Sequence, residues 1–199
     1  RHYASNAIPT STPSPMGKGW RHSLDWKVQY RAIQQAGTYN PLAEVAIVRR
    51  PLGTPVSFQR LTFPPPAPPN VPQPSWTGGA YGAGGLSGEA GSSLLYTDDD
   101  GTRVSFEPVS PPTNPPTFVL KRIQRPGEPE ITVDTNVAAG TMTFSSTGKC
   151  LVVTHTSGKV SSVVSRSGAN CTSGASDQTW SYTYDGASCL RTATGPAPA

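Results

Sequence analysis

Three sets of side chains in this sequence stand where chemistry could be done. Asp98, Asp99 and Asp100 run consecutively into Gly101 and Thr102. Carboxylates bind hard cations such as Ca²⁺, but calcium loops space their ligands as D-x-D-x-D-G. Consecutive residues of an extended chain point to opposite sides. The run therefore reads as a solvated turn in which Asp bonds its own backbone. His22 and Asp25 lie three apart, a spacing that puts them on opposite faces of a strand. His22 shares parity with Trp20, so it reads as a packing histidine and not a general base. No Gly-x-Ser-x-Gly elbow occurs, so the hydrolase signature is missing. No catalytic residue, cofactor site or metal ligand is assigned, and the chain does not read as an enzyme.

The third set is Cys150, Cys171 and Cys189. No Cys-x-x-Cys spacing exists, and the three histidines (His2, His22, His155) are far apart, so zinc and thioredoxin patterns fail. An odd count allows one disulfide at most, in any of three pairings. Cys171 lies in a Gly/Ser loop and is the most adaptable partner, so Cys150–Cys171 is the pairing chosen. Three independent small apolar fillers outweigh any single pairing as a reading. Asn170-Cys171-Thr172 matches a glycosylation sequon, which matters only in a secretory host that glycosylates.

The elements that must position these residues are strands. Of 199 residues, 22 are Pro and 20 are Gly, charged residues are 14%, and the net charge is +4. That Pro and Gly load opposes helices, and the modest charge opposes wholesale disorder. Fewer than about a tenth of residues are expected to be helical. No stretch of about 18 apolar residues occurs, so no membrane span is expected. Lys and Arg are scattered, with Arg49-Arg50 and Lys121-Arg122 the densest pairs, so no nucleic-acid stripe is read. The chain opens at Arg1 and stops at Pro196-Ala197-Pro198-Ala199. Both ends read as cut from something longer.

Residues 20 to 30 alternate Trp20, His22, Leu24, Trp26, Val28 and Tyr30 with polar residues, which predicts one aromatic-faced strand. Strands follow at 44–50, 56–60, 94–96, 103–106, 118–123, 131–134 and 141–144. Further strands are expected at 149–154, 159–165, 178–184 and 189–193, punctuated by Thr147-Gly148, Ser157-Gly158 and Ser167-Gly168. Between them, 64–74 hold seven prolines and 78–91 seven glycines. This Pro/Gly-rich stretch at 64–91 is expected to be a mobile surface loop inserted into a single β-rich segment spanning 1–199.

Near the C-terminus Trp180, Tyr182 and Tyr184 share one strand face, Asp185-Gly186-Ala187-Ser188 supplies a turn, and Leu190 starts the return. Gly186 is read as the residue permitting positive φ. Tyr182-Thr183-Tyr184-Asp185-Gly186-Ala187, with Leu190 and Ala193-Thr194-Gly195-Pro196 beyond, resembles one tyrosine–aspartate (YD) repeat of the Rhs family. Those repeats commonly read Tyr-x-Tyr-Asp-x-x-Gly-Arg-Leu. Here Ser188 stands where Gly is usual, and Cys189 where Arg is usual. The N-terminus adds to the resemblance: Tyr3 within Arg1-His2-Tyr3-Ala4-Ser5, then Gly19, Trp20 and His22 within Gly17-Lys18-Gly19-Trp20-Arg21-His22, are similar to the opening strands of an Rhs core. Tyr96 and Asp100-Gly101-Thr102 are similar to that family's Asp-Gly-Thr hairpins.

The resemblance implies an all-β protein in which antiparallel hairpins form a large curved sheet, part of an Rhs-like β-cage. It implies a bacterial, secreted or cell-surface repeat protein whose shell encloses or displays a C-terminal toxin or other cargo. The partner is then the remainder of the same polypeptide, its downstream repeats and cargo, and the segment itself performs no chemistry and needs no cofactor. The aspartyl self-cleavage site of such proteins lies at the end of the core, outside this stretch. The other reading is a self-contained secreted β-sandwich binding module of carbohydrate or adhesin type, using Trp76 and Tyr81.

Overall fold

A computed structural model describes residues 2–3, 20–21, 23–34, 42–51, 54–62, 75–78, 84–89, 91–110, 116–168, 171–174 and 176–196. Among them every regular element is a strand, and the protein is all-β. The chain forms two compact units: a continuous unit over Trp26–Glu128, and a second built from Arg1–Asp25 and Pro129–Ala199.

Two short strands, β1 (His2–Tyr3) and β2 (Trp20–Arg21), pair antiparallel, with Tyr3 opposite Trp20. Gly19 and His22 lie outside the described residues. The expected single strand over 20–30 is broken: β2 stops at Arg21, Ser23 and Leu24 form a turn, and β3 (Lys27–Gln34) begins the next unit. The polar–apolar alternation runs on through the turn by coincidence of parity, because period 2 carries no information about where hydrogen bonding stops.

The continuous unit is a two-layer sandwich. One layer is the antiparallel sheet β3, β4 (Leu42–Arg49), β5 (Val56–Thr62) and β6 (Thr77–Gly78), in that order. The other layer pairs β7 (Gly85–Gly88), β8 (Leu94–Thr97), β9 (Arg103–Pro108) and β10 (Phe118–Gln124) in sequence order. Inward positions alternate as strands require: Val28 and Tyr30, Ala46 and Val48, Val56 and Phe58, Leu94 and Tyr96, Val104 and Phe106, Phe118 and Leu120 are buried. The layers meet through aromatic rings at angled geometry. Tyr30 stands 5.8 Å from Phe118, Phe58 6.0 Å from Tyr96, and Trp26 5.9 Å from Tyr96. Each such pair adds about 0.5–1.5 kcal/mol beyond the area that it buries.

The stretch 64–91 is not a loop throughout. Its described residues supply β6 and β7 and put Trp76 and Leu86 into the core. Glycine-rich strands lack the β-branched signal that composition detects. Gly78, Gly84 and Gly88 stand at positive φ, and a Cβ at Gly84 or Gly88 would lie 2.0 Å from the carbonyl oxygen of Thr97 or Ser93. These glycines allow close strand approach as well as flexibility. The prolines 64–74 and Tyr81 lie outside the described residues.

The second unit carries a six-strand meander: β11 (Ile131–Asn136), β12 (Thr141–Ser146), β13 (Lys149–Thr156), β14 (Lys159–Ser167), β15 (Gln178–Tyr184) and β16 (Leu190–Thr194). Each strand pairs antiparallel with its chain neighbour. Thr147 (φ 45°) with Gly148 (φ 73°), and Ser157 (φ 52°) with Gly158 (φ 75°), make two-residue turns with both residues left-handed. This backbone matches the twist of the flanking strands. The expected punctuation at these two dipeptides is therefore where the chain reverses.

Candidate functional site

The motif hairpin is built from its turn outward. The Asp185 side chain accepts hydrogen bonds from the backbone N–H of Ala187 (2.9 Å) and of Cys189 (2.8 Å). The Asp185 N–H donates to the Cys189 carbonyl, and the Ser188 N–H to the Asp185 carbonyl, both at 3.0 Å. Gly186 is not the residue at positive φ. Ser188 is, at 68°, the position where the Rhs pattern has glycine. A Cβ-bearing residue there is strained by about 1–2 kcal/mol. The Lys159 ammonium holds the Ser188 hydroxyl at 2.8 Å and sits 5.3 Å from the Tyr184 ring centre.

Trp180, Tyr182 and Tyr184 do share a face, and all three are half-buried between exposed neighbours. The Tyr184 hydroxyl donates to the Val160 carbonyl at 2.8 Å, so the second tyrosine of the motif fastens its hairpin to the preceding strand β14. Leu190, half-buried, pairs with Tyr184 across a bulge.

Cys150 and Cys171 are joined in a disulfide, with Cα atoms 5.6 Å apart, and Cys189 is a half-buried free thiol. Arg166, opposite Cys150 in the ladder, completes the clamp. Its guanidinium donates to the Cys171 carbonyl at 2.9 Å and to the Asp177 carboxylate at 3.1 Å. The segment after β14 is thus held by one covalent bond and one cation.

The continuous unit holds a cluster that the sequence reading did not single out. Glu44 is 3% exposed. It accepts the Arg60 guanidinium through Nε at 2.6 Å and Nη2 at 3.3 Å, and also the Tyr30 hydroxyl. Burial alone would push the Glu44 carboxyl up, but the Arg60 hydrogen bonds and the Tyr30 hydroxyl outweigh it and hold it below its usual value. Burial, then the bond to the carboxylate, pushes the Tyr30 phenol well above its usual range. Arg60 also donates to the Gly88 carbonyl and lies 4.5 Å from the Trp76 ring centre. The Trp76 indole N–H donates to the same carbonyl at 3.0 Å. Trp76 is therefore a buried anchor and not an exposed ligand platform. Each of Glu44, Arg60, Tyr30 and Trp76 has a hydrogen-bond partner within the cluster or on its rim.

Asp98 is the other polar node. One carboxylate oxygen accepts the Arg50 guanidinium, the Tyr96 hydroxyl and the Asp99 N–H at 2.9–3.1 Å. Burial, then the Asp98 bond, raises the Tyr96 phenol. The Asp100 carboxylate takes the Thr102 N–H at 2.8 Å, which lowers its pKa. The Asp99 carboxylate takes the Gly84 N–H at 2.6 Å, so all three carboxylates accept hydrogen bonds from nearby backbone or side chains. Among the described residues no three His, Cys, Asp or Glu side chains converge as a metal site.

Clefts lined by described residues open on the continuous unit. One of about 450 Å³ is lined by Glu44 and Arg60 together with residues of β4 and β5 on either side of them, and by Ser75 and Thr77. Another, about 260 Å³, runs along Val28, Gln29, Tyr30 and Arg31 and is walled by Pro116, Thr117 and Phe118. No helix among the described residues is long and apolar enough to cross a membrane. No family model, no curated protein and no solved structure matches this chain.

Proposed function

We propose that the chain is a non-catalytic structural segment of an Rhs/YD-repeat protein, contributing strands to a secreted or cell-surface bacterial shell that encloses or displays a C-terminal toxin or other cargo. The observation that carries this reading is the motif hairpin. Its Asp185 side chain caps the turn, its left-handed residue falls where the pattern has glycine, and Tyr184 bonds back to Val160 of the preceding strand. A tyrosine that ties each hairpin to the one before is what a repeat array needs, since such a hairpin cannot bury its own face alone. β16 pairs with β15 and with no other described strand, which leaves an edge for a following hairpin.

The test is the coding sequence contiguous with this chain. An array of Tyr-x-Tyr-Asp hairpins after Ala199 is expected; its absence overturns the reading. In protein form, hydrogen exchange across 178–194 should slow when several downstream repeats are appended. Full protection in the monomeric 199-residue chain would contradict an open edge.

A second reading, a self-contained secreted binding module, is favoured by one observation: residues 26–128 form a compact unit whose two sheet layers meet through their own aromatic core. The aromatic ligand platform expected for it is not met at Trp76, which is buried.

A further inference from the structure

One step of the meander shows how a hairpin docks on the strand before it. β14 leaves the Ser157-Gly158 turn, whose Gly158 is left-handed at φ 75°. Lys159 and Val160 follow directly. The hairpin of β15 and β16 is seated on that start by three attachments. β15 pairs with β14, from Ser181 opposite Ser162 to Gln178 opposite Ser165. The Tyr184 hydroxyl donates to the Val160 carbonyl at 2.8 Å. The Lys159 ammonium donates to the Ser188 hydroxyl at 2.8 Å and lies 5.3 Å from the Tyr184 ring centre. The receiving site is thus a strand start just past a left-handed turn residue. One side chain there clamps the incoming turn, and the next residue's carbonyl takes the incoming phenol.

The same receiving site occurs again one hairpin further on. Alternate strands of an antiparallel meander run the same way, so β14 and β16 start at the same end. β16 leaves a turn whose Ser188 is left-handed at φ 68°. Cys189 and Leu190 follow it as Lys159 and Val160 follow Gly158. Cys189 is a half-buried free thiol. Leu190 is half-buried, and Arg191 to Thr194 are exposed. In the filled copy Val160 is 0% exposed. Leu190 therefore stands as Val160 would stand with its hairpin removed.

We infer that the start of β16 receives a further hairpin of the Tyr-x-Tyr-Asp type, with the Leu190 carbonyl accepting its second tyrosine hydroxyl and Cys189 facing its turn in the place that Lys159 holds one hairpin earlier. The occupant follows from continuity with an interface already filled: its leading strand stands to β16 as β15 stands to β14. A second copy of this chain does not meet the requirement, because its β15 is already paired with its own β14. Cys189 sets this site apart from the filled one. A thiol offers no cation to the tyrosine ring and reaches less far than a lysine, so this junction is the looser of the two. The source of that hairpin, the continuation of this polypeptide, rests on the shell-segment reading; where and how it docks follows from β14, β15 and β16 alone.

The probe is a backbone-cyclised peptide of residues 178–194 carrying Cys189→Ser, titrated into the 199-residue chain. It should bind, slow amide exchange within 190–194, and shield the Cys189 thiol of the chain from iodoacetamide. The same peptide with Tyr184→Phe should bind about three- to tenfold more weakly, the worth of one net hydrogen bond. Cys189→Lys in the chain supplies the missing cation. It should tighten binding about two- to fivefold, with the fold unchanged by circular dichroism. No binding, faster exchange across 178–194 (displacement of the chain's own hairpin), an unshielded thiol, equal binding of the Tyr184→Phe peptide, or unchanged affinity in Cys189→Lys would each overturn the proposal. The coding sequence decides the shell-segment reading separately. Docking on a chain with no downstream array would keep this site and remove that reading; failure to dock, with such an array present, would do the opposite.

Discussion

Ser188 occupies in the Asp185 turn the station that Gly101 occupies in the Asp98 turn. Each stands three residues past an aspartate and donates its N–H to that aspartate's carbonyl at 3.0 Å. Each has positive φ, 68° for Ser188 and 82° for Gly101. In both turns the aspartate N–H closes the loop on the carbonyl four residues on. The two aspartate turns thus share one five-residue form, with glycine in one copy and a strained serine in the other.

Ser188→Gly should therefore stabilise the protein by about 1 kcal/mol, less what the Lys159 contact contributes. Gly101→Ala should destabilise it by about 1–2 kcal/mol, and more because the added Cβ would lie 3.0 Å from the Pro126 side chain. Thermal melts of the two variants should shift in opposite directions.

Glu44→Gln should cost about 3–5 kcal/mol at neutral pH, because it leaves the buried Arg60 guanidinium without its counter-ion. The folded carboxyl titrates below its ordinary value of 4.5. Its contribution is therefore complete above that value and lost as pH falls toward the folded pKa. Urea denaturation of wild type and Glu44→Gln should converge on acidification. Tyr30 and Tyr96 act at the other end. Both phenols are raised above 10.0, so stability should decline as pH rises past 10, where the unfolded chain begins to lose protons that the folded one keeps. The double variant Tyr30→Phe/Tyr96→Phe should flatten that alkaline limb.

Removing the Cys150–Cys171 bond, by reductant or by Cys171→Ser, should lower stability by about 3 kcal/mol in the chain-entropy estimate for a loop of this length. Arg166 remains to hold the segment, so local proteolysis at 168–177 should accelerate further in Arg166→Ala under reducing conditions than in either condition alone.

Trp76→Ala should cost about 3–5 kcal/mol, since the ring fills the core, covers Arg60 and donates to Gly88. Deleting 64–91 as though it were a surface loop should fail for the same reason. An unchanged midpoint in Trp76→Ala would show that the indole is not an anchor.

The strands over 42–62 and from 94 onward were legible because β-branched and aromatic residues lie between turn dipeptides whose chemistry is local: Thr147-Gly148, Ser157-Gly158, Asp100-Gly101. The Cys150–Cys171 choice followed from loop adaptability, and Cys171 does adopt a left-handed conformation, φ 53°. The Glu44–Arg60 pair was readable in principle. The register that sets Val48 opposite Val56 places Glu44 opposite Arg60 four residues further out. It escaped because β4 is apolar on both faces, Val45 and Ile47 against Ala46 and Val48, so alternation could not say which side faced in. Trp76 and Leu86 escaped because their flanking glycines and prolines read as flexibility, whereas close strand approach needs glycine as much as a loop does. Ser188 was hidden by Gly186, the residue in that turn that propensity favours for a left-handed conformation.

The chain order of the two units has a consequence for synthesis. Residues 26–128 form a continuous stretch, whereas the other unit joins the first 25 residues to those after 128. At roughly 5–20 residues per second, the sandwich emerges whole while β1 and β2, paired with each other, wait for the rest of their unit. The meander then adds one strand at a time, each to the strand made just before it. Its closures span short loops and are fast. Assembly on the ribosome therefore runs from residues 26–128 toward those after 128, and residues 1–25 join their unit only once the meander is made.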